Sequence, residues 1–255
     1  MEQEIPPYRL LFDYMASHLY VASRSELLAL GLNRTRIESW IRQHRLVRLL
    51  RGVYSYGRDV ETREAAWRAA LLVAGPAAVL AGRSALEAWG AIQPLTVLPR
   101  KIVVATELDR GAEHQGLSPA LSGTKVKVIR RKFEPGDKLR TGHIQLVRPS
   151  LALVDLAREA SAREVRFAFL ELCRIKKFGR ADVPFTFHRV AGKPGVGSVR
   201  PLLALWVPEL NRIKSVFEGT VLLDWLDRGH EPPLVNWKVL GLEVDLYFEE
   251  AGFVL

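Results

Sequence analysis

Residues Val21 to Gly57 read VASRSELLALGLNRTRIESWIRQHRLVRLLRGVYSYG, and the fold turns on how this stretch is interpreted. Ser23 and Glu26 have the S-x-x-E spacing of a capping box, so a helix starts there. Leu27, Leu28 and Leu30 give it an apolar face, and Gly31 supplies the left-handed residue that ends it. Asn33 then N-caps a second helix that runs to about His44. On that helix Ile37, Trp40 and Ile41 fall three and four apart and face inward. A hairpin follows, with Val47, Leu49, Val53 and Tyr54 as strand formers and Gly52 and Gly57 at turns. Upstream, Tyr8 to Ala16 is a short amphipathic segment carrying Leu10, Leu11, Tyr14 and Met15, which adds a first helix. Residues 1–58 are therefore expected to form a winged helix-turn-helix.

The charge of this stretch is one-sided. From Asn33 to Arg58 the basic residues are Arg34, Arg36, Arg42, Arg45, Arg48, Arg51 and Arg58, and the only acid is Glu38. The second helix of a helix-turn-helix enters the DNA major groove, where arginine serves both phosphates and guanine edges. Arg34, Arg36, Arg42 and Arg45 on the helix, with Arg48 and Arg51 at the wing, are the expected contacts to double-stranded DNA. A plain helical packing domain with a solvated arginine face has the same composition, so the pattern alone leaves both readings open.

At 255 residues the chain has room for one large domain or two to three small ones. Its net charge of +9 favours a polyanionic partner. Cys173 is the only cysteine, so no intrachain disulfide can form, and its apolar helical setting predicts burial. The start, MEQEIPPYRLLF, lacks the charge and apolar core of a signal peptide, and no apolar run reaches membrane-spanning length. A cytoplasmic protein without membrane contact is the expectation.

Downstream, Arg58 to Glu61 is a polar linker. Thr62 to Ala74 is expected as a helix stopped by Gly75-Pro76, and Ala77 to Ala91 as another. Short strands at Lys101–Ala105, Val126–Arg130 and Ile144–Val147, separated by Gly/Pro/Asp turns, predict a small α+β unit over 59–160 with a mostly antiparallel sheet. Pro149-Ser150 opens a core-facing helix. Residues 161–212 form a helical connector, with a strong helical pattern from Ser161 to Phe178 and another helix from Val199 to Trp206. The glycine-rich turn Gly192 to Ser198 has GxxGxG spacing, which matches neither a P-loop nor a dinucleotide fingerprint. Residues 213–255 comprise a helix from Ile213 to Asp227, strands at Leu234–Leu240 and Leu242–Phe248, and the start of a third strand at Phe253. Trp67, Trp89, Trp206, Trp225 and Trp237 sit at helical or strand spacing and are expected in cores. The six histidines are scattered, without a catalytic or zinc spacing. The run Arg174, Lys176, Lys177 and Arg180 fits either an extended DNA surface or a solvated helix end.

Two resemblances follow from residues already quoted. The RGVYSYG wing (Arg51 to Gly57), the AGRSALEAWGA segment (Ala81 to Ala91), the strands KIVVAT and KVKVIRR, and RPSLALVDLA (Arg148 to Ala157) together resemble the AbiEi family of antitoxins from type IV toxin-antitoxin systems. That resemblance covers roughly the first 160 residues. It implies a DNA-binding repressor of its own operon, a nucleotidyltransferase toxin as partner, and antitoxicity carried by the domain after the winged helix.

The second covers about Lys193 to Leu255. Ser215-Val-Phe-Glu218, then Pro233, Asn236 and Gly241-Leu-Glu-Val-Asp245, resemble the opening motifs of domains similar to very-short-patch-repair endonucleases, which have the PD-(D/E)XK nuclease fold. The resemblance implies Asp245 as a Mg²⁺ ligand and Glu218 as a supporting acid. Such chemistry gathers several carboxylates on the metal. The family's next strand, which carries the second acid, would begin here at Phe253, and the sequence ends at Leu255. The module is therefore expected to be partial, without catalytic activity or cofactor in these 255 residues. The alternative is a Mg²⁺-dependent endonuclease whose catalytic strand lies beyond Leu255. Oligomeric state, DNA site and toxin are not specified by the sequence.

Overall fold

A computed structural model describes residues 7–108 and 112–255. It is an α+β protein whose chain divides into two compact units, residues 1–84 with 94–146 and residues 85–93 with 147–255.

The first unit begins with α1 (Pro7–Ser17), β1 (Val21–Ser23), α2 (Arg24–Ala29), α3 (Arg34–Arg42), β2 (Leu46–Leu50) and β3 (Val53–Tyr56). The caps form as their spacing dictates. Glu26 N–H donates to Ser23 Oγ at 3.2 Å, and Ser23 N–H donates to Glu26 Oε2 at 2.6 Å. Arg36 N–H donates to Asn33 Oδ1 at 2.8 Å. Helix α2 ends at Ala29 with Leu30 as its C-cap, and Gly31 follows with a φ of 90° that a side chain would resist. The second helix stops at Arg42, two residues short of the expected end. Strand β1, which the sequence reading missed, pairs antiparallel with β3, giving a three-stranded sheet in the order β1-β3-β2. Leu11, Met15, Leu27, Leu32, Ile37, Trp40 and Leu46 are buried together between the helices and this sheet. Each such side chain stabilises by about 1.5–3 kcal/mol relative to leaving it in water.

Residues on both sides of position 58 belong to this one unit. Helix α4 (Arg63–Ala74) packs against β1, and Thr62 caps it through Ala65 N–H at 3.3 Å. The expected single helix from Ala77 to Ala91 is instead two elements, β4 (Val79–Leu80) and α5 (Gly82–Trp89). The short apolar run AAVLAG can serve as strand or helix. The choice goes to strand because Leu80 lies between β5 (Lys101–Thr106) and β9 (Ile144–Val147), where its backbone groups find partners. With β6 (Ala112–Gln115), β7 (Lys125–Arg130) and β8 (Lys138–Thr141), the sheet has six strands ordered β6-β7-β5-β4-β9-β8. It is mixed rather than mostly antiparallel, since β5 pairs parallel with β7 and β4 parallel with β9. Ile102, Val104, Val126 and Val128 alternate onto its buried face, and Lys101 and Lys125 onto the other.

The second unit packs α6 (Pro149–Leu156), α7 (Ala162–Arg174), α8 (Asp182–Val190), α9 (Val196–Ala204) and α10 (Val216–Asp227). Nearly every side chain of α6 is buried, and Val165, Phe169, Leu172 and Cys173 form the inner stripe of α7. Burial pushes the Cys173 thiol up, with the Asp182 carboxylate adding to the effect, so it stays protonated and inert. Helix α10 runs close to α7 at Gly219, where an added Cβ would meet Leu170 and Ile213 at 2.8 Å each. Helix α8 had no counterpart in the sequence reading. Helix α9 starts three residues before the expected Val199, directly after Gly195.

An antiparallel sheet completes the unit, with β10 (Leu234–Val239), β11 (Leu242–Phe248) and β12 (Phe253–Val254) in that order. The tryptophans are not uniformly in cores. Trp67 is buried, Trp89, Trp206 and Trp225 are half-buried, and Trp237 is 43% exposed. The Arg212 guanidinium lies 5.8 Å from the Trp237 ring centre.

Candidate nucleic-acid interface

The basic surface of the first unit is built on a fixed frame. Glu26 sits at its centre. Its carboxylate accepts from Ser23 N–H and from Tyr14 Oη at 2.7 Å, and it pairs with Arg68 at 3.2 Å. The same arginine donates to the Val21 carbonyl at 2.8 Å. One carboxylate thus ties α1, β1, α2 and α4 together. Burial alone would raise the Glu26 pKa, but the bonds from Ser23 and Tyr14 and the Arg68 charge outweigh it and hold it below the usual carboxylate value. Tyr14 is shifted up, by burial first and then by Glu26.

Helix α3 rests on this frame through Ile37 and Trp40. All six arginines named from the sequence, Arg34, Arg36, Arg42, Arg45, Arg48 and Arg51, are exposed. Among the described residues Arg34, Arg42 and Arg45 have no ion pair. At about 100° per residue, Arg34 and Arg36 leave the helix on opposite sides of the Ile37–Trp40 stripe, while Arg42 projects from the outer face. The face is therefore broad rather than a single row.

Glu38, the lone acid, is not idle on this surface. Its carboxylate lies 2.8 Å from Arg48 of β2 and 3.6 Å from Arg24 of α2. It joins α3 to the hairpin and offsets two of the positive charges there. Arg24 was not among the residues singled out from the sequence. Its signal was present, since a cation in the first turn of a helix opposes the helix dipole and suggests another role. Its backbone N–H donates to Gly52 O at the hairpin turn, 2.8 Å away.

The hairpin is not a free flap. Leu117 N–H, just past β6, donates to Leu49 O of β2 at 2.8 Å. Close by, burial and then the Arg51 charge hold the His114 imidazole below its ordinary value. Strand β2 is thus tied to the segment that follows β6.

In the second unit, Glu218 and Asp245 lie differently from each other. Glu218 is 4% exposed, and its side chain is occupied. Its Oε2 accepts from Lys214 N–H at 2.9 Å and from Asn236 Nδ2 at 3.1 Å, and its own N–H donates to Ser215 Oγ at 3.1 Å. The S-x-x-E motif thus acts here as the cap of α10. Asp245 is exposed on β11. Both carboxylates act on Lys214, whose ammonium is raised chiefly by its bond to Glu243 and further by Glu218 and Asp245. Glu249 and Glu250 stand exposed in the turn after β11. Among the described residues no group of three or more His, Cys, Asp or Glu is placed to hold a metal ion. Also among the described residues, no helix is long and apolar enough to cross a membrane.

No protein-family model matches the chain. No curated protein matches it either. Among solved structures it is similar to the crystal structure of RV2827C protein from Mycobacterium tuberculosis, at 16% identity and a TM-score of 0.48, over 87% of this chain and 83% of that one. A likeness at that level assigns no function.

Proposed function

We propose that the chain is a DNA-binding transcriptional regulator of the AbiEi antitoxin type, with residues 7–57 acting as a winged helix. The observation that carries the reading is α3 itself. It is an exposed, arginine-bearing helix anchored by Ile37 and Trp40, beside a hairpin whose Arg48 and Arg51 extend the same basic surface. In this reading α3 enters the major groove, the β2–β3 turn tracks the adjacent phosphates, and operator binding represses the chain's own operon. The resemblance of the AGRSALEAWGA and RPSLALVDLA segments adds a nucleotidyltransferase toxin as partner, with the residues after the winged helix carrying antitoxicity.

The test is a substitution series read by fluorescence anisotropy on the duplex upstream of the gene. Replacing a base-reading arginine with alanine costs about 1–3 kcal/mol and relaxes specificity, whereas replacing a phosphate-binding one weakens all sequences alike and lowers the salt slope by about 1. Arg42→Ala is expected to weaken binding on either account. Wild-type affinity in both Arg36→Ala and Arg42→Ala would remove α3 from the interface. Co-purification with the product of the adjacent gene tests the toxin partnership separately.

A further inference from the structure

A second binding site lies far along the sequence from the arginine helix, in the turn after α10. An open cavity of about 500 Å³ is formed there by Gly229–Leu234 and the end of β11. That volume falls within the range of about 300–1,000 Å³ typical of small-molecule sites. Its floor is aromatic. The Trp225 indole stacks on His230 with ring centres 4.2 Å apart, and Phe248 meets it edge-on at 4.6 Å. The indole N–H donates to Glu231 O at 2.7 Å, which fixes the turn against the ring.

The rim has one sign of charge. Glu231, Glu249 and Glu250 line the cavity, and no lysine or arginine does. All three carboxylates are exposed, and none is ion-paired among the described residues. This is notable on a chain of net charge +9. The ring faces of tryptophan and its neighbours attract cations, and the carboxylates strengthen and steer that attraction. An anion meets repulsion here, and a neutral apolar ligand gains nothing from the rim. Nor is a bare metal ion suited, because no three ligating side chains converge among the described residues.

We infer that this cavity binds an organic cation, an alkylammonium or guanidinium group whose carbon skeleton packs against the Trp225, His230 and Phe248 cluster while its charge faces Glu249 and Glu250. The group could be a free small amine or the side chain of a basic peptide, and the arms of the test separate these sources.

The experiment follows the indole N–H resonances of the full chain by NMR. There are six tryptophans, and the Trp225 signal is identified by its loss in Trp225→Phe. Three probes are titrated at constant ionic strength: choline, Nα-acetyl-arginine amide, and 3,3-dimethylbutan-1-ol, the neutral isostere of choline. The expected result is a saturable shift of the Trp225 resonance with at least one cation, with the other five signals unmoved. Its Kd should lie about fivefold or more below that of the neutral alcohol. Glu249→Gln/Glu250→Gln, which alters only exposed side chains, should weaken binding by a similar factor. Preference for choline assigns a small free amine, and preference for the arginine amide assigns a basic side chain. Equal binding of the neutral isostere, an equal response to added NaCl, or no saturable shift with either cation would overturn the inference.

Discussion

Glu38→Gln is the sharpest perturbation of the proposed interface, because it changes charge without touching any arginine. The wild-type carboxylate sits 2.8 Å from Arg48 and 3.6 Å from Arg24. Two consequences follow, and their sizes differ. For stability, both pairs are well exposed, with side chains 37–51% accessible, so the loss is within the ~0–1 kcal/mol of surface ion pairs. For DNA binding, releasing one arginine to a phosphate adds about 0.9 to the magnitude of the salt slope, which at ~0.1 M salt corresponds to about eightfold tighter binding. The Arg48 contact is the closer, so one added phosphate contact is the expected gain. Anisotropy titrations of wild type and Glu38→Gln across a salt series measure both slope and affinity, and a thermal melt checks the small stability cost. Unchanged affinity and slope would show that Arg48 and Arg24 do not face DNA. Weaker binding would show that Glu38 orients these arginines rather than masking them.

Two further outcomes concern the frame and the second unit. Glu26 has a folded-state pKa below its ordinary 4.5, so its contribution is present above that value and is lost as pH falls through the folded-state pKa. Glu26→Gln should therefore lower stability at neutral pH and flatten the acid limb of a stability-versus-pH curve from chemical denaturation, whereas an unchanged acid limb would mean the carboxylate is not held as described. Gly195→Ala should destabilise the second unit by about 1–3 kcal/mol from backbone strain alone, since φ is 89°. Its Cβ would in addition fall 2.5 Å from Val154 O, so a wild-type denaturation midpoint would contradict the packing of α9 on α6.

The elements legible in the sequence were those signalled locally. Ser23 with Glu26, and Asn33, each announce a helix start through a side chain that reaches the backbone of its own helix, and the structure makes each of those bonds. Strands such as Lys101–Thr106 were legible from their period-two burial. What stayed hidden depends on distant partners. Leu80 becomes a strand residue only because β5 and β9 flank it, and the parallel pairing of β5 with β7 leaves no local mark. On the candidate interface the six arginines were readable as a charge pattern. The pairing of Glu38 with Arg48 and Arg24, and the anchoring of the hairpin through Leu117, link residues too far apart in sequence for spacing to reveal. Ser215-x-x-Glu218 illustrates the converse, since a spacing that suggests a metal-site acid is also satisfied by a helix cap, and only the bonds to Lys214 and Asn236 show the second role.

Binding of the full chain to the duplex upstream of its own gene, against a scrambled duplex of equal length, tests the central proposal most directly. With six exposed arginines on α3 and the wing, log K should fall with log salt at a slope of about −3 to −5 per protomer between ~50 and ~200 mM salt. The upstream duplex should also bind at least about a thousandfold more tightly than the scrambled one. Weak binding with a shallow slope and no preference between the duplexes would contradict the account, and would make the arginine helix a surface for some other partner.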